Sequence, residues 1–466
     1  MRVTLLGHAS VFIEMHGTRC LMDPVFHDPF EDGAVVSCPR RTIALDAIPP
    51  VDLLVISHSH LDHFDVPSLA HIAKSSRNAD VLCPEDQPIV YTLKRLGFTN
   101  VHPEKPRKHF KFPKYEVITT PSHVTNVIEF GVVFKDASGT FWNQVDTIIA
   151  PPIVPEVLKL TGPIDLLFAM YASQNFNFFE SRGTSFPHSM HEMNLNNVMA
   201  IRPKMAVPGA AGFRFAGAGM EWCNAFLFPM SRERFVADMA RVAPEIPTEI
   251  ANPGDAFEVD RAGVHYRPGV SKIARMVEDD SDLLRFDTTA TIPPLTDPNP
   301  AGVSMEKLTK GVDEALVAFA RFVNEALAKP GSDELVDEYR KLGASYAIGV
   351  VFPDGPERWL RISMAGEPEF ERTDRRPAPS DAGHRIVASA LTAWTARQKS
   401  YFYLRAFSRK WNNIYALESA EGKTVLRPKD TKDLLAHYLE RKAKGAELAF
   451  KQWLDHQLEP YVSRQG

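Results

Sequence analysis

One short segment of the chain carries three histidines and an aspartate within six positions, in the stretch Ser57-His58-Ser59-His60-Leu61-Asp62-His63. The residues before it, Val51–Ser57, are mostly apolar, which is typical of a strand buried on both faces. Imidazole and carboxylate are the usual protein ligands of zinc and of non-haem iron. The pattern therefore predicts a metal site at the end of a core strand. A polar loop with chance histidines does not account for so dense a cluster.

The spacing of these residues divides them into two pairs. Residues i and i+2 of an extended segment point the same way, so His58 and His60 can reach one metal ion together. A helix is expected to begin near Pro67, because proline suits a first helical turn. Such a turn would carry Asp62 and His63 to the other side of the cluster, where they could bind a second metal.

The composition places the chain among globular proteins. Its 466 residues predict two or three domains, and 44% hydrophobic with 24% charged residues is typical of a folded chain. A net charge of −5 gives no reason to expect nucleic acid or a membrane surface as partner. We found no apolar run long enough for a membrane span and no signal peptide, so a cytoplasmic protein is expected. The four scattered cysteines favour structural thiols in a reducing compartment.

Changes in composition along the sequence predict three parts. Residues 1–277, where strands alternate with helices, are interpreted as the catalytic domain. Residues 278–303 are interpreted as a linker, since they hold an acidic run, expected to form a solvated surface, and then several prolines. Residues 304–466 are interpreted as a smaller α+β domain.

Five elements are predicted in that last part, one of them a helix near Ile386–Ala396. Ser304 is expected to cap a helix whose apolar face consists of Leu308, Val312, Leu316, Phe319 and Val323. A hairpin is expected over residues 346–352 and 358–363, around Pro353-Asp354-Gly355. The aromatic segment Tyr401–Phe407 is interpreted as a buried strand in preference to a pocket wall, and Thr431–Leu458 as a helix.

The motif H-x-H-x-D-H after a strand resembles the signature of the metallo-β-lactamase superfamily. Gly7-His8-Ala9-Ser10 and Met22-Asp23-Pro24 resemble motifs of its lactonase-like and phospholipase-like branch. Pro121-Ser122-His123 and Val145-Asp146-Thr147 resemble the later motifs, although Gln144-Val145 stands where glycine is usual. Over residues 1 to about 270 the resemblance implies an α/β fold, an αββα sandwich with one or two metals at the edge of its two sheets.

The resemblance also implies roles for single residues. His58, His60 and His123 would hold the first metal, and Asp146 would bridge to a second. Asp62 would orient the attacking water or bind the second metal with His63. The resemblance implies that Asp23 supports a ligand histidine. His8 is expected to line the pocket or support a ligand.

One departure from the family pattern affects the second metal. Relatives complete that site with a histidine in P-x-H-W/Y-G, but the matching stretch here, Val207–Phe213, contains none. We expect His188 to line the site or replace the missing ligand, and we rate it above His191. One tightly bound metal, with a second at partial occupancy, is therefore predicted.

The closing strand has a resemblance of its own, to the metallo-β-lactamase-like part of CMP-N-acetylneuraminate hydroxylases. Those enzymes also carry a Rieske iron–sulfur domain, but this chain has neither the C-x-H nor the C-x-x-H pair that such a cluster needs. An oxygenase of this kind would therefore depend on an external reductase.

Three functions follow from these observations. The leading hypothesis is hydrolysis of a small-molecule ester, lactone, amide or phosphodiester by a metal-activated water, with Asp62, Asp146 and His188 as catalytic residues. The alternative is a non-haem iron oxygenase. The third is a binding module that has lost catalysis. The expected cofactor is one or two divalent transition metals, zinc or iron, and the chain could form a homo-oligomer.

Overall fold

The computed structural model describes residues 1–123, 127–173, 185–396, 398–399, 401–420, 423–440 and 444–462. The described residues up to Glu278 form strands β1 (Arg2–Gly7), β2 (Ser10–Met15), β3 (Thr18–Met22), β4 (Val35–Ser37), β5 (Arg40–Ile43), β6 (Leu53–Val55), β7 (Asp80–Pro84), β8 (Asn100–Glu104), β9 (His109–Lys111), β10 (Tyr115–Thr120), β11 (Gly131–Asp136), β12 (Thr140–Asn143), β13 (Leu166–Met170), β14 (Met205–Gly209), β15 (Phe213–Phe215), β16 (Ala256–Asp260), β17 (Gly263–Arg267) and β18 (Ala274–Glu278). The helices between them are α1 (Val66–Ser76), α2 (Gln87–Arg95), α3 (Ile153–Thr161), α4 (His188–Ile201) and α5 (Arg232–Val242).

These strands build two large sheets. One has eight strands in the order β17-β16-β1-β2-β3-β6-β7-β8, and the other has six in the order β14-β13-β12-β11-β10-β9. Alternate side chains of both sheets, among them Val11, Val55, Val132 and Phe168, fill one buried layer between them. Period-two alternation thus supplies the inner face of each sheet.

Helices cover the outer face of each sheet. On the eight-stranded sheet, Leu54 and Ile56 pack with Leu69 of α1 and Leu93 of α2. Helices cover the six-stranded sheet in the same way. Val157 of α3, Val198 of α4 and Phe235 of α5 belong to its outer core. The αββα sandwich predicted from the sequence is therefore confirmed.

Strand direction brings the loops of the predicted site to one edge. β3 and β6 pair in parallel, and β1 runs the same way because both strands are antiparallel to β2. In the other sheet β12, β13 and β14 are parallel. The carboxyl ends of these strands therefore meet at one edge of the sandwich. The loops that follow them there carry His8, Asp23, His58, Asp146 and Gly212.

The second part of the chain contains helices α6 (Met305–Ala328), α7 (Glu334–Lys341), α8 (Ala388–Thr395), α9 (Tyr401–Arg405), α10 (Leu434–Glu440) and α11 (Lys444–Val462), and strands β19 (Ser345–Val351), β20 (Glu357–Ser363), β21 (Glu369–Thr373), β22 (Ala382–Val387), β23 (Ser408–Asn412), β24 (Tyr415–Ala420) and β25 (Lys423–Pro428). The predicted hairpin is β19–β20, and Ser304 caps α6, whose predicted apolar face is buried. The α+β character of this part is confirmed.

Two predictions about this part need correction. The aromatic segment Tyr401–Phe407 is not a strand: it forms the short helix α9, and pairing in the sheet begins only at Ser408. The acidic run is not wholly a solvated surface either. Asp280 is buried, and its charge is compensated by Arg214 at 2.6 Å and by a hydrogen bond from the Arg40 N–H. The predicted helix over 431–458 corresponds to α10 and α11, and residues 441–443 lie outside the described residues.

The second part packs firmly on the sandwich. α11 lies against α1 and α2, where Trp453, Leu454 and Leu458 are buried in the outer core of the eight-stranded sheet. α9 contacts the 3₁₀ turn Glu31–Gly33, close to the predicted site. The domain bounds at 277 and 304 stay a prediction. The four cysteines are free and buried, and no helix in the described ranges is long and apolar enough to cross a membrane.

Candidate metal centre

His58 and His60 turn ligand atoms towards each other. His58 Nε2 lies 2.9 Å from His60 Nδ1, as expected for side chains two residues apart on an extended segment. Two nitrogens bound to one tetrahedral ion lie about 3.3 Å apart, so a small widening would admit a metal between them. His58 is buried whereas His60 is exposed, so this position, which we call the first metal position, opens to solvent.

Asp23 fixes the orientations of the His58 and His63 rings, through Ser57 for His58 and directly for His63. Its fully buried carboxylate accepts hydrogen bonds from the Ser57 N–H at 2.7 Å and from the Ser57 hydroxyl at 2.6 Å. Ser57 Oγ is thereby left to accept from His58 Nδ1 at 2.9 Å. Asp23 Oδ2 also accepts from His63 Nδ1 at 2.9 Å. Both rings therefore carry their protons on Nδ1 and present Nε2 to the cluster, the supporting role implied for Asp23.

His63 Nε2 lies between two carboxylates. It is 3.6 Å from Asp62 Oδ2 and 3.5 Å from Asp146 Oδ2, close to the separation expected for ligands of one ion. Nε2 is fully buried and has no hydrogen-bond partner. We call this the second metal position. His58, His63 and Asp146 also lie close enough together to share an ion.

His8 orients Asp62. The backbone N–H of Gly212 donates to His8 Nδ1 at 3.0 Å, so the proton of a neutral ring is on Nε2. Nε2 then donates to Asp62 Oδ2 at 3.1 Å. Although His8, Asp62 and His63 are near enough to form a ligand group, this tautomer leaves His8 no lone pair for a metal. His8 therefore acts as a positioning residue.

The charges in the cluster favour a cation between the carboxylates. Burial disfavours a charged Asp62, but the charge of His63 and the hydrogen bond from His8 outweigh it and hold the pKa of Asp62 well below its ordinary value. Burial also disfavours a charged Asp146, but the charge of His63 and its hydrogen bond outweigh this effect and lower the pKa of Asp146 to about 2. Burial also opposes charge on His63, yet the two carboxylates raise its pKa well above the ordinary value. A positive group between Asp62 and Asp146 is thus favoured.

Two buried glutamates lie near this centre and were missed in the sequence. Burial raises the pKa of Glu129 to about 7, although Ser122 hydrogen-bonds to it and the charge of His63 acts on it. Burial raises the pKa of Glu31 well above its ordinary value, and the charge of Asp62 raises it further. Neither glutamate belongs to a spaced motif, so only the tertiary structure reveals them.

Backbone strain is concentrated at the same edge. Seven non-glycine residues near the centre have φ between 45° and 60°, namely His8, Asp23, Glu31, Asp32, Val145, Ala210 and Ala211. Val145 is the clearest case, because a β-branched side chain disfavours its φ of 52°. This is the place where relatives have glycine. Such conformations cost about 1–3 kcal/mol each and are typical of functional sites.

Three predicted site histidines lie apart from these ligand groups. His123 has an exposed ring, and its N–H donates to the Ile148 carbonyl at 2.7 Å. His188, the first residue of α4, is exposed with its ring 4.8 Å from that of Phe186. His191 is buried and hydrogen-bonds to Asp238 at 3.0 Å. None of the three is in the two ligand groups that the described residues form, so their metal roles stay predictions.

The donor set fits a transition metal. The unpartnered Nε2 of His63 and the facing nitrogens of His58 and His60 are groups that gain a partner when an ion binds. His58 is neutral and available as a ligand, because burial holds its pKa well below the ordinary value. His58 and His60 would hold an ion at the first position, Asp62 and His63 would hold one at the second, and Asp146 could reach both.

Comparison with known proteins agrees with this geometry. Residues 2–125 match the model of the β-lactamase superfamily domain. The chain is 29% identical over 178 residues to 4-amino-L-phenylalanyl-[CmlP-peptidyl-carrier-protein] 3-hydroxylase of Streptomyces venezuelae, which covers 35% of this chain and 32% of that protein. It is 34% identical over 183 residues to a Mycolicibacterium smegmatis protein named for a Rieske 2Fe-2S group, with 37% and 34% covered.

A third relative is a hydrolase by name. The chain is 35% identical over 81 residues to a metal-dependent hydrolase of Aeropyrum pernix, which covers 17% of this chain and 28% of that protein. The matches thus span about a third or less of these relatives' lengths. The N-terminal part of the chain thus matches the β-lactamase superfamily domain over residues 2–125, in agreement with the αββα sandwich and the ligand edge.

Proposed function

We propose that this chain is a non-haem iron enzyme that uses dioxygen and an external electron donor to hydroxylate a small molecule. The observation that carries the proposal is the composition of the centre. Asp62 and Asp146 lie on either side of His63, the buried Glu31 and Glu129 interact electrostatically with this group, and the stretch Val207–Phe213 contains no histidine to complete the second position. Carboxylate-rich sets with few imidazoles favour iron or manganese, whereas catalytic zinc sites depend more on histidine.

The extent of the sequence likeness supports the same choice. The match to the hydroxylase runs over more than twice as many residues as the match to the hydrolase, so it reaches well beyond the metal motif. The hydrolytic function that the sequence alone favoured therefore becomes the second candidate.

The protein's own residues would prepare the centre. Asp23 holds the two Nε2 atoms of His58 and His63 inward, and His8 keeps Asp62 ionised and aimed at the second position. Exposed His60 marks the side from which substrate and dioxygen would enter. Bound iron would supply the reduction of dioxygen. One oxygen atom would enter a C–H bond and the other would leave as water, and two electrons and two protons from the external donor complete the balance.

Hydrolysis is favoured by one specific feature, the hydrogen bond from His8 to Asp62. A carboxylate held ionised beside a metal position can orient or deprotonate a bound water. The hydrolytic candidate needs only a redox-inert ion such as zinc.

Reconstitution distinguishes the two candidates. Apo-protein would be loaded separately with Fe²⁺ under argon and with Zn²⁺. The iron form should then consume dioxygen with ascorbate as reductant at least about tenfold faster than the double variant His58→Ala, His60→Ala treated identically. The zinc form should hydrolyse p-nitrophenyl acetate and bis(p-nitrophenyl) phosphate no faster than that variant. Hydrolysis confined to the intact zinc form, with no excess dioxygen uptake by iron, would contradict the proposal and favour the second candidate.

A further inference from the structure

A cavity of about 630 Å³ is lined by residues that follow β13 and β14 and by the start of α5. This volume is within the range of about 300–1,000 Å³ that is usual for small-molecule sites. Four of the lining residues are aromatic, namely Tyr171, Phe186, Phe228 and Phe286. Tyr171 and Phe228 are buried, whereas Phe186 and Phe286 are partly exposed. So many rings in one lining favour a ligand with an aromatic group.

Six charged side chains also line this cavity, three basic and three acidic. Four of them are engaged locally, in the contacts Arg234–Asp238, Arg285–Asp282 and Asp279–Ser281. The other two, Arg232 and Glu233, are neighbours at the start of α5. A ligand in the cavity therefore meets one available positive group and one available negative group.

Arg232 is held in a position that suits a carboxylate. Its Nη1 donates to the Ala251 carbonyl at 3.0 Å and to Asn252 Oδ1 at 3.2 Å. These bonds fix the guanidinium group, and only 12% of the side chain is exposed. Among the described residues, none accepts a hydrogen bond from Nη2. A guanidinium group that is fixed along one edge and open along the other can bind a carboxylate with little loss of side-chain freedom.

Glu233 lies close to this guanidinium group without bonding to it. Its Oε1 is 3.9 Å from Arg232 Nη2, which is too long for a hydrogen bond. An α-amino acid carries its carboxylate and its ammonium group on the same carbon atom, so the two groups can reach neighbouring partners of opposite charge. The carboxylate would bind Arg232. The ammonium group would bind Glu233, whose side chain is 58% exposed and so lies nearer the solvent.

The cavity shares a wall with the metal centre. Ala211 lines the cavity, and the next residue, Gly212, fixes the ring of His8 through its N–H. The ring of Phe228 lies 5.2 Å from that of Phe213, which lies 5.2 Å from the ring of His8. None of the lining residues belongs to the two ligand groups that the described residues form. A molecule bound there lies beside the centre without touching those ligands.

We propose that this cavity binds a free aromatic amino acid. Its carboxylate binds Arg232, its ammonium group binds Glu233, and its ring packs among Tyr171, Phe228 and the other aromatic walls. The inference goes beyond the proposed function and does not depend on it, because every contact comes from a side chain and none from a metal.

Calorimetric titration of the full-length protein tests this site. L-Phenylalanine, L-tyrosine and L-tryptophan would be titrated singly, and at least one should bind at one site per chain. Taking L-phenylalanine as the example, 2-phenylethylamine lacks the carboxylate and should bind at least about tenfold more weakly. 3-Phenylpropionate lacks the ammonium group and should bind about two- to fivefold more weakly, because Glu233 is exposed. L-Alanine lacks the ring and should bind at least about tenfold more weakly.

Two variants assign the contact to Arg232. Arg232→Gln should weaken binding of the amino acid by at least about tenfold, and it should then bind the amino acid and the corresponding amine about equally. Arg241→Gln is the matched control, because Arg241 is an exposed arginine of the same helix that does not line the cavity. It should bind the amino acid as the wild type does.

The possible outcomes separate this inference from the metal centre. Binding by none of the three amino acids at about 10 mM would overturn it, as would an Arg232→Gln variant that binds within about threefold of the wild type. Should Arg232→Gln fail to fold by circular dichroism, equal binding of amino acid and amine by the wild type would likewise overturn it. Chelator-treated protein should bind the amino acid unchanged, and loss of binding on metal removal would show that the metal holds the ligand and would contradict the site.

Discussion

Replacing His63 with alanine should abolish metal binding at the second position and reduce metal-dependent dioxygen uptake more than any other single substitution at the centre. His63 Nε2 lies between Asp62 and Asp146, so its removal leaves two carboxylates facing each other without a nitrogen donor. It also leaves the buried Asp23 with one hydrogen bond fewer. Loss of a residue that merely supports a ligand costs about 10–100-fold in metal affinity, and loss of a ligand should cost more.

Metal content and dioxygen uptake of the purified variant measure this effect. His102→Ala is the matched control, because His102 is an exposed histidine whose partner, Asp80, lies on the surface of the same sheet. The control should keep the metal content and uptake of the wild type. Equal metal content in His63→Ala and His102→Ala would mean that His63 is not a ligand.

Replacing Arg41 with methionine should be the most destabilising single substitution that leaves the proposed ligands intact. The guanidinium group is fully buried and donates to the Leu6 carbonyl at 2.8 Å and the Val25 carbonyl at 2.6 Å. These carbonyls lie next to the loops that carry His8 and Asp23. Removing one partner of a buried charged network costs about 3–5 kcal/mol, because the remaining groups stay buried and unpaired.

Urea unfolding of Arg41→Met compared with Arg40→Met tests this expectation. Arg40 is the exposed neighbour and pairs with Glu278 on the surface, so its replacement should change the free energy of unfolding by less than about 0.5 kcal/mol. Arg41→Met should unfold at clearly lower urea and bind metal more weakly. Coincident transitions for the two variants would show that the Arg41 contacts contribute little.

The part of the centre that follows one strand could be predicted from the sequence. His58, His60, Asp62 and His63 are neighbours in the chain, and the periodicity of an extended segment is enough to pair their side chains. The sandwich was implied by the resemblance to the metallo-β-lactamase superfamily, and the apolar patterns gave only its single strands and helices. The resemblance also implied that Asp23 supports a ligand histidine. In the structure, Asp23 accepts a hydrogen bond from His63.

The rest of the centre depends on contacts between distant parts of the chain. Glu31 is near Asp62 through tertiary packing of the turn Glu31–Gly33, and no local pattern marks it. The tautomer of His8 is fixed by Gly212, which is 204 residues away in sequence. The segment Tyr401–Phe407 has the aromatic composition of a strand, but Tyr401–Arg405 forms helix α9, which contacts the turn Glu31–Gly33. Tertiary packing overrides local propensity there.

Elemental analysis of the full-length protein, purified anaerobically without added metal, tests the central claim most directly. The account predicts at least one transition-metal ion per chain, mainly iron, and close to none in the double variant His58→Ala, His63→Ala purified in parallel. Folded wild-type protein that contains no transition metal, or no more than the double variant, would contradict the metal centre and every function proposed for it.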